Sequence, residues 1–512
     1  MKVLMIYPDY PLGTLPGTSR LGFYSEGIAA LAASLRQQGH DVELLHMTAP
    51  LGQLSFEANV RQSQPDLVGF SVRTSNFSDI PTYVAWARRA APKVPLVAGG
   101  CHATVEPRGT LTLGGFDYVL RGEADRSLVE LCQVLSGNDT DLEQVGGLCW
   151  LKAGEFRSTP NDPLPKSMDS VPIPHFGIFD VDRLETQLVK TVPALLSRGC
   201  PFACTYCCNA AFRTLYPNPA NYVRFRSPED AIRYLKSALE VFRDAHYVSF
   251  FDDILPLYPD WFNEFMARYR EEIGIPFSCN ARADLLNPQV VATLRDSGCF
   301  RIHMGVESGD FELRRRVLKR PVSQEAILEG FDLARKSGMA TLSYNMVGLP
   351  EETLKRTLKT IKLNARANPH RIVVSVFYPY PGTEGNRLAR SLGYLSTDQP
   401  WSGNWMLHQP QFTRDEVAFA SAYFRTFVRL YLLTWRLPKF LGRPAERLLD
   451  TLFLWPGKPN KILVRTAGIG TRLLDGAKRL MRKYLTGLYL YLRDRSLSVS
   501  PGGRDKDGLS ED

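Results

Sequence analysis

No apolar run in the chain approaches the roughly 20 residues that a membrane-spanning helix needs. Nor does a charged stretch followed by an apolar core of signal-peptide length open it; Met1 to Tyr7 reads as a strand. Cysteine is sparse, nine in 512 residues, which excludes a disulfide-built scaffold and suits a reducing compartment, so the expected setting is cytoplasmic. An excess of one charge is also missing from most of the chain. Residues 436–512 hold 16 Lys and Arg against 8 Asp and Glu, leaving 46 against 45 in residues 1–435. A near-neutral body offers no broad footprint for nucleic acid, and none is expected as a partner. What is present is ordinary for a folded protein: 44% hydrophobic residues, in a chain too long for a single core.

Short apolar runs at 2–7, 41–46, 67–71, 95–98 and 118–120 alternate with helix-like segments. That alternation predicts a doubly wound parallel sheet, whose ligands lie beyond the carboxyl ends of the strands. Ser71 and Arg73 follow the third run, Gly99, Gly100, His102 and Thr104 the fourth, and Gly122 and Glu123 the fifth. Five prolines between 160 and 174 then read as a linker. Beyond it, candidate strands at 193–197, 247–251, 276–281, 301–305, 340–346 and 371–377 alternate with capped helices, which predicts an incomplete parallel barrel of six strand–helix units.

Just past the first of these six strands comes Ser197-Arg198-Gly199-Cys200-Pro201-Phe202-Ala203-Cys204-Thr205-Tyr206-Cys207, a C-x3-C-x2-C loop. Three thiolates so close can converge on zinc, Cu(I) or an iron–sulfur cluster, with a fourth position to be filled from elsewhere. The paired carboxylates Asp252 and Asp253 follow the second strand, where cap, turn or cofactor-contact roles fit better than acid–base catalysis.

The cysteine loop, with the aromatic Tyr206 before its third cysteine, resembles that of the radical S-adenosylmethionine enzymes. Strand-end segments repeat the resemblance in order: Phe251-Asp252-Asp253, Asn280-Ala281-Arg282, Gly305-Val306-Glu307-Ser308-Gly309 and Asn345-Met346-Val347-Gly348-Leu349-Pro350-Glu351. Residues 1–150 resemble the cobalamin-binding domain of one large subfamily, through Gly-Gly-x-His-Ala-Thr and Arg-Gly-Glu. The resemblance implies that Cys200, Cys204 and Cys207 hold a [4Fe-4S] cluster whose fourth iron binds S-adenosylmethionine. It also implies that Tyr206, Asp252, Asn280, Arg282, Glu307, Ser308, Gly348 and Pro350 surround S-adenosylmethionine. Ser71, Arg73, Gly99, Gly100, His102, Thr104, Gly122 and Glu123 would surround cobalamin. The Asp-x-His-x-x-Gly motif that gives cobalt a histidine elsewhere is absent, so cobalamin is expected base-off without such a ligand, with Arg73 or a neighbour near its lower face.

By that resemblance the activity is methyl transfer to an unactivated carbon, on a small-molecule or lipid substrate, with a donor such as flavodoxin or ferredoxin supplying electrons. A ring-forming or rearranging enzyme of the same family is the alternative, and a non-catalytic cobalamin sensor or a structural zinc protein stand further off. The expected fold class is α/β. Its layout is a cobalamin-binding domain at 1–150, a linker at 151–185, a partial (β/α)6 barrel at 186–395, a helical region at 396–498 and a disordered tail at 499–512. In the helical region, Thr413 to Leu433 reads as an amphipathic helix packed on the barrel, preceded by Trp401, Trp405 and His408. Basic and apolar residues mixed around Arg472–Leu474 and Lys478–Lys483 suggest peripheral membrane contact.

Overall fold

The structure, a computed structural model, describes residues 1–11, 14, 20–137, 141–395 and 406–455. Trp401, Trp405, the basic segments from 472 to 483 and the tail at 499–512 lie outside the described residues. The chain divides into two compact units, one built on Met1–Ala245 with Pro379–Arg387, the other on His246–Tyr378 with Leu388–Leu395 and the residues from Met406 onward.

The first unit opens with β1 (Lys2–Pro8), α1 (Glu26–Gln37), β2 (Asp41–Met47), α2 (Gln53–Ser63), β3 (Leu67–Ser71), α3 (Ile80–Ala90) and β4 (Leu96–Gly99). It continues with α4 (Cys101–Val105), α5 (Pro107–Gly114), β5 (Tyr118–Leu120), α6 (Ser127–Leu135), β6 (Leu148–Lys152) and β7 (Glu155–Ser158). The sheet order is β2-β1-β3-β4-β5-β6-β7, parallel through β5 and antiparallel after it. All five predicted strands are present. Their near-continuous apolar character follows from burial on both faces: Ile6, Val68, Leu96 and Val119 are fully enclosed, with Phe56, Ile80 and Ala87 of the helices packed over them.

Two departures from the sequence reading occur here. The sheet runs on to Ser158, because Ala153 (φ 51°) and Gly154 (φ 82°) both take left-handed conformations and close a two-residue hairpin between β6 and β7. The proline-bearing stretch beyond it is a packed strap rather than a free linker. Thr159, Asn161, Leu164, Met168, Val171 and Phe176 are buried, and the strap's carbonyls are taken by Arg121 (to Thr159 O, 2.9 Å) and Arg226 (to Val171 O and Pro172 O, 3.1 Å each).

The first unit closes with α7 (Glu185–Val189), β8 (Thr191–Ala194), β9 (Ser197–Arg198), α8 (Cys208–Arg213), β10 (Arg224–Phe225) and α9 (Pro228–Val241). β8 is the first of the six barrel strands expected from the sequence.

The other five lie in the second unit: β11 (Tyr247–Phe250), α10 (Pro259–Glu272), β12 (Phe277–Ala281), α11 (Pro288–Asp296), β13 (Cys299–Glu307), α12 (Gln324–Lys336), β14 (Ala340–Val347), α13 (Leu354–Ala367) and β15 (Arg371–Val376). Adjacent strands pair in parallel in chain order, so their carboxyl ends share one edge. Local chemistry sets the helix starts, with Asn287, Ser323 and Thr353 each accepting an amide hydrogen bond as an N-cap. After α14 (Glu384–Ser391), α15 (Arg414–Trp435) starts from a capping box between Thr413 and Glu416, and α16 (Lys439–Leu454) follows. Phe419, Phe424, Val428, Tyr431 and Phe453 make a core with Leu358 and Ile361 of α13. The helix expected from 413 to 433 is thus a packed wall.

Candidate cofactor sites

The cysteine loop leaves β9 at Gly199, whose φ of 92° and close approach admit only glycine: a Cβ there would run into Tyr222 O. β9 pairs antiparallel with β10, which fixes the loop's entry. Cys204 is buried while Cys200 and Cys207 are half-buried. The Cys207 amide donates to Cys204 O at 3.1 Å, and Cys207 occupies the position before α8, of which Cys208 is the first residue. Among the described residues no three His, Cys, Asp or Glu side chains gather tightly enough for a single metal ion. A cubane cluster asks for less convergence than a tetrahedral zinc, because each thiolate binds a different iron.

Arg198 anchors the loop. Its guanidinium donates to Glu123 at 2.6 Å and to Asp125 at 2.5 and 3.1 Å, across 75 and 73 residues of chain. Arg224, fully enclosed on β10, pairs with the other oxygen of Glu123. Burial opposes these charges, yet Asp125 and Glu123 hold the Arg198 pKa well above its ordinary value, and Arg198 in turn keeps Asp125 below its own. The Glu123 amide also donates to Tyr216 Oη at 2.8 Å. The Arg-Gly-Glu segment of the N-terminal sheet is therefore held by residues on both sides of the cysteine loop. α4 of that sheet packs on α8 as well.

Above this junction lies a cavity of about 430 Å3 at the carboxyl ends of β3, β4 and β5. Ser71, Arg73, Gly99, Gly100, Gly122 and Glu123, which follow these strands in the sequence, all line it together with Arg198. A Cβ built on Gly99 would meet no protein atom within 4 Å, and one on Gly100 (φ 94°) would crowd Val72 O at 2.9 Å, so this turn presents bare backbone to the cavity. Mostly apolar walls and a few fixed polar groups are what a small-molecule or cofactor site requires. Arg73 is held at the rim by Pro8 O (2.8 Å) and Asp9 (3.2 Å), with its guanidinium 5.3 Å from the Tyr7 ring. Asp9 also bonds His46 Nε2 at 3.0 Å. Glu26, another lining residue, has its pKa raised by burial although Tyr234 and Tyr24 each donate to it at 2.9 Å.

His102 and Thr104 stand behind the wall. His102 is fully buried, tilted over Phe77 at 4.1 Å and bonded through Nδ1 to Thr74 at 3.1 Å, and burial lowers its pKa to about 4, so it is neutral. Thr104 bonds Gly100 O at 2.9 Å and accepts from the Gly122 amide at 3.0 Å, which ties the two glycine turns together.

In the second unit the residues expected around S-adenosylmethionine gather along the carboxyl edge of β11–β14. Asn280 Nδ2 donates to Asp252 O at 2.9 Å, and Arg282 is clamped by Asp284 at 3.0 and 2.7 Å. Glu307 ends β13 with φ 62° beside a register shift, while Ser308 is fully buried and accepts from the Asp310 amide at 3.2 Å. Gly348 and Pro350 lie in a buried turn that the sequence reading left without its main support. That support is Glu352, fully buried, which accepts from the Gly348 and Leu349 amides at 2.7 and 3.0 Å and from Thr357 at 3.0 Å. Gln409 closes the turn from the other side, donating to Leu349 O at 2.9 Å. Tyr206 is half-buried in the cysteine loop of the first unit. Arg224, Asp125 and Tyr216 carry no periodic or motif signal, and only partners 73 to 101 residues away reveal them; Glu352 is revealed by the amides of its own turn.

These features define an α/β protein with a glycine-floored strand-end cavity and a three-cysteine loop. The sequence pattern of the Radical SAM superfamily matches residues 195–363, and that of the B12 binding domain matches residues 17–132. The chain belongs to the radical S-adenosylmethionine family whose members carry a cobalamin-binding domain, and its cofactors are a [4Fe-4S] cluster, S-adenosylmethionine and cobalamin. An uncharacterized methyltransferase of Pyrococcus horikoshii is 27% identical over 75% of this chain and 82% of its own. The anaerobic magnesium-protoporphyrin IX monomethyl ester cyclase of Rubrivivax gelatinosus is 24% identical over 74% and 68%. Among solved structures, the cobalamin-dependent S-adenosylmethionine radical enzyme OxsB with aqua-cobalamin and S-adenosylmethionine bound superposes with a TM-score of 0.66 at 15% identity, covering 99% of this chain and 82% of that one. Among the described residues no helix is long and apolar enough to cross a membrane.

Proposed function

We propose that this chain is a cytoplasmic methyltransferase acting on an unactivated carbon of a small-molecule or lipid substrate, fed by a reductant such as flavodoxin or ferredoxin. The observation that carries the reading is the ion-pair junction of Arg198 and Arg224 with Glu123 and Asp125, which joins the cysteine loop to the glycine-floored cavity within one unit. Transfer between two cofactors requires both to be held in a fixed relation, and this junction supplies one. When bound, the cluster with S-adenosylmethionine supplies one-electron carbon radical chemistry and cobalamin supplies a transferable methyl group. The chain's own part is to hold and exclude. Cys200, Cys204 and Cys207 would hold the cluster, the backbone of Gly99 and Gly100 would lie against cobalamin, and Met5, Leu31 and Leu128 keep that cavity apolar. The methyltransferase among its relatives supports methylation.

Anaerobic reconstitution with iron, sulfide and cobalamin tests the proposal. The cluster's charge-transfer absorbance should appear, 5′-deoxyadenosine should form with reductant, and the product should be heavier by one methylene unit. A product without that gain would replace methylation by ring formation or rearrangement. A Cys204→Ala variant that still cleaved S-adenosylmethionine would remove the cluster assignment.

A further inference from the structure

We infer that the outward face of α15 and α16 docks the protein on an anionic lipid bilayer surface. α16 is apolar on two sides. Phe453 is buried in the helical core, but Phe440, Leu448, Leu452 and Trp455 face water, with Phe440 74% and Trp455 58% exposed. Positions 440, 444, 448, 452 and 455 recur every three or four residues and so share one face. Leu433 and Leu437, 58% and 45% exposed, add to it from the end of α15 and the connection. Large apolar side chains grouped on one exposed helix face mark an interaction surface, whereas singly scattered leucines would not.

The charges are sorted by side. The two acids of α16 turn inward: Glu446 and Asp450 each accept from Lys362 Nζ at 2.8 Å, and they take further bonds from Trp435 Nε1 (3.0 Å) and Tyr431 Oη (2.6 Å). The cations turn outward. Arg436, Lys439, Arg443 and Arg447 are exposed and make no ion pair among the described residues. On α15, Arg425 and Arg429 form a second exposed cationic spot near Arg371. Partial burial first, and then these two neighbours, lower the Arg425 pKa.

Charge complementarity selects the occupant. Residues 456–495 carry 10 Lys and Arg against 2 Asp and Glu, so that segment offers the cationic border no complementary charge. A second copy would bring like charges together across a two-fold axis. Nucleic acid would satisfy the arginines but leave leucine and phenylalanine facing phosphate. An anionic bilayer satisfies both: apolar side chains enter the boundary between headgroups and acyl chains, Trp455 sits at interface depth, and the bordering cations meet phosphates. α16 would lie on the membrane.

The test is flotation of the full-length reconstituted protein with vesicles of phosphatidylcholine alone or of phosphatidylcholine with phosphatidylglycerol. Wild type should float with the anionic vesicles only, and less so as salt rises. A Phe440→Asp/Leu448→Asp variant should lose at least about tenfold in partitioning, and Arg443→Glu/Arg447→Glu about fivefold or more per site. Iron and cobalt content should not change, because these residues touch neither cofactor site. Flotation with neither vesicle, or undiminished flotation of both variants, overturns the inference. Self-association or nucleic-acid binding that both variants abolish, without vesicle binding, overturns it too. The inference is independent of the methylation reading, since flotation reports nothing about turnover.

Discussion

Glu352 holds a strand-end turn with a charge it can barely keep. Burial raises its pKa to about 7 from 4.5, even though the Gly348 and Leu349 amides, Thr357 and Arg356 favour the ionised form. A folded pKa above the unfolded one makes its contribution fully present below about pH 4.5 and lost as the pH rises through 7, a swing on the order of 3 kcal/mol. Glu352→Gln keeps an acceptor for the amides and removes the titration. Its melting temperature should therefore fall less than that of wild type between pH 5 and pH 8, which thermal denaturation at both pH values will measure. Glu123 makes the opposite case. Its removal by Glu123→Ala strands the enclosed Arg224 guanidinium, at a cost of about 3–5 kcal/mol. Iron and cobalt per chain after reconstitution should both drop, and Glu123→Gln should recover part of each.

At the level of elements, what could be read from the sequence depended on burial. β1, β3 and β13 announce themselves because both faces or alternate residues are apolar, and every parallel strand expected in either half is present. β7, Glu-Phe-Arg-Ser, is mostly exposed and polar, and its hairpin turn is Ala-Gly rather than the more telling Asn-Gly, so nothing in its sequence sets it apart from a linker. The buried strap after it was hidden for a different reason: its prolines are also what an extended segment needs when arginine side chains, rather than a ladder, satisfy its carbonyls. Two element-scale outcomes follow. Gly199→Ala should push Tyr222 away and part β9 from β10, lowering iron incorporation while the N-terminal sheet keeps its circular dichroism. Thr413→Ala removes the capping box of α15 and should cost about 1 kcal/mol, seen as a small drop in melting temperature.

For the molecule as a whole, the cavity residues Ser71, Arg73, Gly99, Gly100, Gly122 and Glu123 were legible because a doubly wound sheet dictates where its ligand lies. The wall behind them was not: His102, expected beside cobalamin from the resemblance, stands behind the lining, buried, neutral and tilted over Phe77. A ligand that binds only the folded chain stabilises it by mass action, so cobalamin at about 100 times its dissociation constant should stabilise the chain by about 2.7 kcal/mol. Thermal denaturation with and without cobalamin checks this, and Gly100→Ala should abolish the shift. The Arg198–Glu123–Arg224 junction also bears on ancestry and engineering. Its acids come from one sequence module and its bases from another, so the two modules cannot be exchanged between relatives as independent parts. A chimera that brought in a foreign N-terminal module without carboxylates at 123 and 125 would inherit two orphan cations at the root of the cysteine loop, and compensating changes should therefore travel across that boundary in pairs.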